Sequence, residues 1–90
     1  MRVSLRFIPG SAAKLLGFSS LEVLDLPDRS SYGSLVKLLD ERFKASSGSS
    51  GESILDHFML LIGGEPILKK LDQEIDPREE VKVIMLALGG

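Results

Sequence analysis

The chain has 90 residues, with 11 basic against 13 acidic side chains for a formal charge of −2, and it contains no cysteine. That length suits a single domain able to bury roughly 60% of the surface its unfolded chain exposes, and the missing cysteines exclude a disulfide framework, a thiolate nucleophile and a cysteine-held zinc or iron–sulfur site. Charges of both signs are interspersed with no basic stripe, which argues against a nucleic-acid partner, and the apolar runs at residues 58–62 and 83–88 fall far short of the roughly 20 residues that span a bilayer. Arg2, Ser4, Arg6, Pro9 and Gly10 break up any signal-peptide-like run. The expectation is a cytoplasmic protein with no membrane partner.

Residues 1–8 set Val3, Leu5 and Phe7 against Arg2, Ser4 and Arg6, the period of two of a strand with one face on a core. Pro9-Gly10 ends it. Residues 11–20 carry Ala12, Ala13, Leu15 and Leu16 but also Gly17, and read as a long, partly apolar connection that could hold one helical turn. A second strand follows at residues 21–26, with Leu21, Val23 and Asp25 on one side and Glu22, Leu24 and Leu26 on the other; it should pair with the first as a hairpin. Ser31 is then a good N-cap for a helix in which Leu35, Leu38, Leu39 and Phe43 recur at helical spacing, with Lys37, Asp40 and Glu41 opposite.

Residues 45–53 are low in complexity and rich in Ser and Gly, the composition of a flexible loop. Ile54, Leu55 and Phe58 would close that loop onto the core. Residues 58–62 are continuously apolar, as in a strand buried on much of both faces. Gly63-Gly64 suits a tight hairpin returning as a brief strand at residues 66–68. Residues 69–80 are polar apart from Leu71 and Ile75, and Asp76-Pro77 marks a turn before the last apolar strand.

That strand runs from Val81 toward Gly89-Gly90, where glycine removes side chains and leaves a thin extended arm able to enter a narrow channel in another protein. The carboxylate of Gly90 is unhindered and suited to being activated. Val81, Val83 and Met85 alternate with Ile84, Leu86 and Leu88; if the first set faces the helix, the second makes an apolar docking patch beside the tail. No side chain stands out as catalytic or as a metal ligand. His57 has no Cys or second His close to it in sequence, and Glu79 and Glu80 would point to opposite faces of a strand.

The order of elements predicts an α+β fold, a mixed sheet of four to five strands with one main helix on one face and the last strand central and parallel to the first. Residues 1–88 form the domain and 89–90 the tail. This is the β-grasp arrangement of ubiquitin, and the resemblance reaches residues. The stretch from Ser31 through Gly33 to Leu39 is similar to the helix start of the small subunit of molybdopterin synthase and its thiamine-pathway counterpart. Leu60-Leu61-Ile62-Gly63-Gly64-Glu65-Pro66 resembles their strand-turn motif, and residues 79–90 resemble the closing strand and tail of the superfamily, which includes the ubiquitin-related modifier and the archaeal small modifier proteins.

The resemblance implies a protein acted upon rather than an enzyme. An activating enzyme would use ATP and magnesium to adenylate Gly90, with Gly89 allowing passage and Ile84, Leu86 and Leu88 docking the arm. The acyl group would then become a thiocarboxylate or pass to a lysine of a target protein. No cofactor is expected to stay bound. Two alternatives remain open: a sulfur-donating small subunit seated in the large subunit of molybdopterin synthase, and a purely noncovalent interaction domain. Met85-Leu86 stands where those small subunits often carry prolines, which favours a modifier or general carrier.

Overall fold

The alternation read at the start of the chain becomes β1 (Arg2–Ile8), whose Val3, Leu5 and Phe7 are buried while Arg2, Ser4 and Arg6 face solvent. The computed structural model describes residues 1–47 and 53–86. A 3₁₀ helix over Gly10–Leu16 occupies much of the first connection and buries Ala12, Ala13 and Leu16. Gly17, at φ 73°, ends it in the left-handed region that a side chain rarely adopts. Local pattern gave no period for this segment because a 3₁₀ helix repeats every three residues and packs only one short stripe.

Strand β2 (Leu21–Asp25) pairs antiparallel with β1, Val3 opposite Leu24 and Leu5 opposite Glu22. Helix α1 spans Tyr32–Ser47. Ser31 caps it as expected, its Oγ accepting the N–H of Ser34 at 3.1 Å. Leu35, Leu39 and Phe43 are buried, joined by Tyr32 one turn earlier. The helix continues through residues 45–47, so the loop expected at 45–53 begins later than composition suggests; residues 48–52 lie outside the described residues.

Asp40, expected on the solvent side, instead accepts the Oγ–H of Ser53 at 2.9 Å and the N–H of Ile54 at 2.6 Å. It fastens the short 3₁₀ turn Ile54–Asp56 to α1, and Ser53 and Asp56 complete that turn with a reciprocal capping box. Asp40→Ala leaves the part-buried Ile54 N–H without its acceptor. The expected loss is about 1–3 kcal/mol, read by urea denaturation, and a loss below about 0.5 kcal/mol would show that the anchor is dispensable.

Strand β3 (Phe58–Ile62) turns at Gly63-Gly64 into β4 (Glu65–Pro66), with φ of 59° and 82° at the two glycines. The positive torsions of both central residues match the twist of a two-residue hairpin. Here the structure corrects two expectations. Strand β3 is buried on one face only, with Met59 exposed on the other, and the returning strand is shorter than expected, giving way to a 3₁₀ turn at Ile67–Lys69.

Strand β5 (Val81–Met85) lies between β1, to which it is parallel, and β3, to which it is antiparallel. The sheet order is β2-β1-β5-β3-β4. The fold is therefore α+β, a five-stranded mixed sheet with one main helix on one face, the β-grasp arrangement anticipated from the order of elements. Val81 and Val83 are fully buried in the cluster that also holds Phe7, Leu35, Leu39, Phe58 and Leu60. Each such side chain contributes on the order of 1.5–3 kcal/mol by leaving water. Among the described residues no helix is long and apolar enough to cross a membrane.

Candidate functional site

The parallel pairing of β1 with β5 puts Ile8 beside Ile84 and Arg6 beside Lys82, and the antiparallel pairing of β3 puts Met59 on the other side of Ile84. All these residues point away from α1, because the alternate positions Phe7, Val83 and Leu60 are the buried ones. A row Ile8–Ile84–Met59 thus crosses three strands on the open face. Ile8 is 40% and Met59 44% exposed, with Ile84 between them half-buried.

Leu86 follows just past the strand. Its N–H donates to the carbonyl of His57 at 2.9 Å, carrying the β5–β3 pairing one step past Met85. Leu86 also lines a shallow apolar hollow of about 210 Å³, together with Leu55, Phe58, Met59, Pro66 and Leu68. Met85, expected to share the covered face with Val81 and Val83, is exposed. It lies in register with Phe58, at the start of β3. Leu88, Gly89 and Gly90 lie outside the described residues.

Toward the start of β5 the open face turns basic. Arg6 and Lys82 stand side by side, and Arg6 Nε donates to Glu80 Oε1 at 2.9 Å. Glu80 is thus an ion-pair partner for the sheet. Its neighbour Glu79 lines a separate polar hollow of about 270 Å³ near the Gly63-Gly64 hairpin, with Glu65, Glu74, Asp76 and Lys70. Among the described residues, no group of three or more His, Cys, Asp or Glu side chains is arranged to hold a metal ion. His57 sits against the ring of Phe43, centroids 5.1 Å apart, which gives it a packing role.

In the turn that launches β5, Asp76 accepts the Arg78 side chain at 3.1 and 3.2 Å and the Arg78 backbone N–H at 3.0 Å. The Arg78 guanidinium, with help from that N–H, holds the Asp76 carboxyl below the ordinary carboxylate value. The pair is solvent-exposed. A carboxylate depressed in the folded state adds stability above its unfolded pKa and loses it as pH falls through the folded value, so this turn weakens only in acid.

Of the residues picked out in the sequence, Ile84 stands on the open face and Leu86 follows just past β5, beside the apolar hollow; the row also includes Ile8 and Met59, which sequence reading did not assign. Ile8 carried a signal. It ends the otherwise polar register Arg2, Ser4, Arg6 with an apolar residue. Met59 carried none, because the unbroken run around it conceals which face each residue takes. Fold and surface together define a β-grasp protein whose central strand leaves an apolar row on the uncovered face. No protein-family model matches the chain, and no curated protein or solved structure matches it either.

Proposed function

We propose that the chain is a ubiquitin-like carrier or protein modifier, whose Gly90 carboxylate is activated by an ATP-dependent enzyme and then thiocarboxylated or joined to a target lysine. The observation that carries this reading is the placing of β5. It is central and paired on both sides, its outward residue Ile84 lies between Ile8 and Met59, and in sequence it is the last strand before Gly89-Gly90. A strand held from both sides is a rigid base, which lowers the entropy lost when a partner docks against it.

In chemical terms a carboxylate is too poor an electrophile to be attacked directly. Attack of a Gly90 oxygen on the α-phosphorus of ATP releases pyrophosphate and leaves an acyl adenylate. A persulfide sulfur then displaces AMP, and a second thiol cleaves the sulfur–sulfur bond to leave the thiocarboxylate. Alternatively, a lysine amine takes the acyl group and forms an isopeptide bond. The protein's own part is to dock and present; the activating enzyme supplies the nucleotide and magnesium.

The test is intact-mass spectrometry after incubation with an activating enzyme, ATP, magnesium and a sulfur donor. A gain of about 16 Da marks oxygen replaced by sulfur, and lysine adducts in cell extract mark conjugation. A mass that never changes with any such enzyme, in protein that retains residues 89–90, would overturn the proposal. Stable co-purification with a molybdopterin synthase large subunit would narrow the role to that enzyme.

A further inference from the structure

Strand β2 forms one edge of the sheet, and among the described residues nothing on its outer side pairs with it. Its backbone orientation follows from the bonds at either end. Leu26 N–H donates to the Met1 carbonyl and Phe7 N–H to the Ser20 carbonyl, both at 2.9 Å. Counting by twos between them, Glu22 and Leu24 turn their backbone groups toward β1. Leu21, Val23 and Asp25 turn theirs outward. The same three residues direct their side chains to the open face, where Leu21 is 57% and Val23 54% exposed.

An edge strand usually carries a device against pairing with another chain: a lysine, a proline, a bulge or a covering loop. This one, Leu21-Glu22-Val23-Leu24-Asp25, has no lysine, no proline and an unbroken register with β1, its guards being its five-residue length and the inward-facing Glu22. Read antiparallel about its midpoint, it sets Val23 against Val23 and each acidic residue against a leucine. We propose that β2 pairs antiparallel with β2 of a second copy of this chain, on a two-fold axis through Val23.

Charge selects that register. Centred on Val23, the two strands use all three outward backbone pairs on each side, Val23 meets Val23 of the second copy, Leu21 meets Asp25, and Glu22 meets Leu24. No like charges oppose one another. Shifting the axis to Glu22 would set the two Glu22 carboxylates directly opposite, and shifting it to Leu24 would lose one of the three outward pairs. On the open face the Val23-centred row runs Arg2, Asp25, then Leu21 and Arg6 of the second copy, so each Asp25 lies beside Arg2 of its own sheet and no second carboxylate enters the row.

The resulting ten-stranded sheet is continuous. The two β5 strands are separated by five inter-strand steps of about 4.8 Å each and run in opposite directions. Their outgoing segments therefore leave from opposite ends, and the Ile8–Ile84–Met59 row of each copy stays uncovered. The dimer is independent of any chemistry at Gly90.

Sedimentation equilibrium from low micromolar to millimolar concentration tests this. The expected result is a mass that rises from 9.8 kDa toward twice that value. Val23→Lys puts like charges on the axis at an exposed position, so it should weaken association about 100-fold while leaving the thermal midpoint of dilute, monomeric protein unchanged. Val23→Cys, in a chain without other cysteines, should join into dimers with a short bis-maleimide linker, whereas Leu68→Cys on the far side of the sheet should not. A wild-type chain that stays at 9.8 kDa throughout overturns the proposal. So does a dimer that Val23→Lys leaves intact, or one that cross-links equally well through Leu68→Cys. Deleting residues 89–90 should not change the dimer, which separates this outcome from that of the activation assay.

Discussion

Phe58→Ala should cost about 3–5 kcal/mol of folding free energy, the largest loss expected of a single truncation in this chain. Phe58 is 1% exposed and stands edge-on to two other rings, Phe7 of β1 at 6.4 Å and Phe43 of α1 at 6.4 Å. Its side chain therefore joins three elements that are far apart in sequence. Truncation removes the transfer energy of the ring and leaves a cavity that β1, α1 and β3 cannot close without breaking their own pairing. Against a total stability of about 5–13 kcal/mol for a domain of this length, that is a large share. Urea denaturation should show the midpoint falling by a third or more, while Phe58→Leu, which keeps most of the volume, should cost less than half as much. An alanine variant within about 1 kcal/mol of wild type would mean that the aromatic cluster is not a keystone of the fold.

The second large effect is expected at the open face. Ile84→Asp places a carboxylate at the centre of the Ile8–Ile84–Met59 row, between two apolar neighbours. If this row seats the activating enzyme, a charge at its middle must be desolvated on docking. Central apolar anchors of interfaces are worth on the order of 2–4 kcal/mol, so kcat/KM for adenylation should fall roughly 30- to 1,000-fold. Because Ile84 is only half-buried in the free chain, the thermal midpoint should move by a few degrees at most. Lys37→Asp, on the solvent side of α1, is the control and should be active. Full activity in Ile84→Asp, combined with loss of activity on deleting residues 89–90, would place the docking surface elsewhere while leaving the role of Gly90 intact.

Ile84 also shows where reading the chain alone stops. Its assignment to the uncovered face followed from alternation with Val81 and Val83, and the structure agrees, since both valines are fully buried under α1. Alternation could not say how wide the apolar surface is, because width depends on which strands lie beside β5. Ile8 joins the row through parallel pairing with a strand at the other end of the chain, and Met59 through antiparallel pairing. The unbroken run Phe58-Met59-Leu60-Leu61-Ile62 suggested two buried faces. With one main helix, the sheet is covered on one side, and Met59 is exposed on the other.

Asp40 and residues 45–47 make the same point from the helix. Helical spacing placed Asp40 on the solvent side, yet a loop that returns to the helix gives its carboxylate two donors, from Ser53 and Ile54. Ser and Gly composition suggested a loop from residue 45, whereas α1 runs to Ser47. Serine and alanine are tolerated in a last helical turn where Ala45 and Ser46 are exposed, so composition marks its end poorly.

From the amino-acid order alone came the elements and their inward faces: the period of two in β1 and β2, the helical spacing of Leu35, Leu39 and Phe43, the Gly63-Gly64 hairpin and the apolar last strand. These are legible because side-chain periodicity and positive torsions are properties of neighbouring residues. Tertiary structure decided which edge of the sheet is left unpaired and which apolar residues gather on its open face. Both depend on contacts between residues distant along the chain, and no local pattern records those.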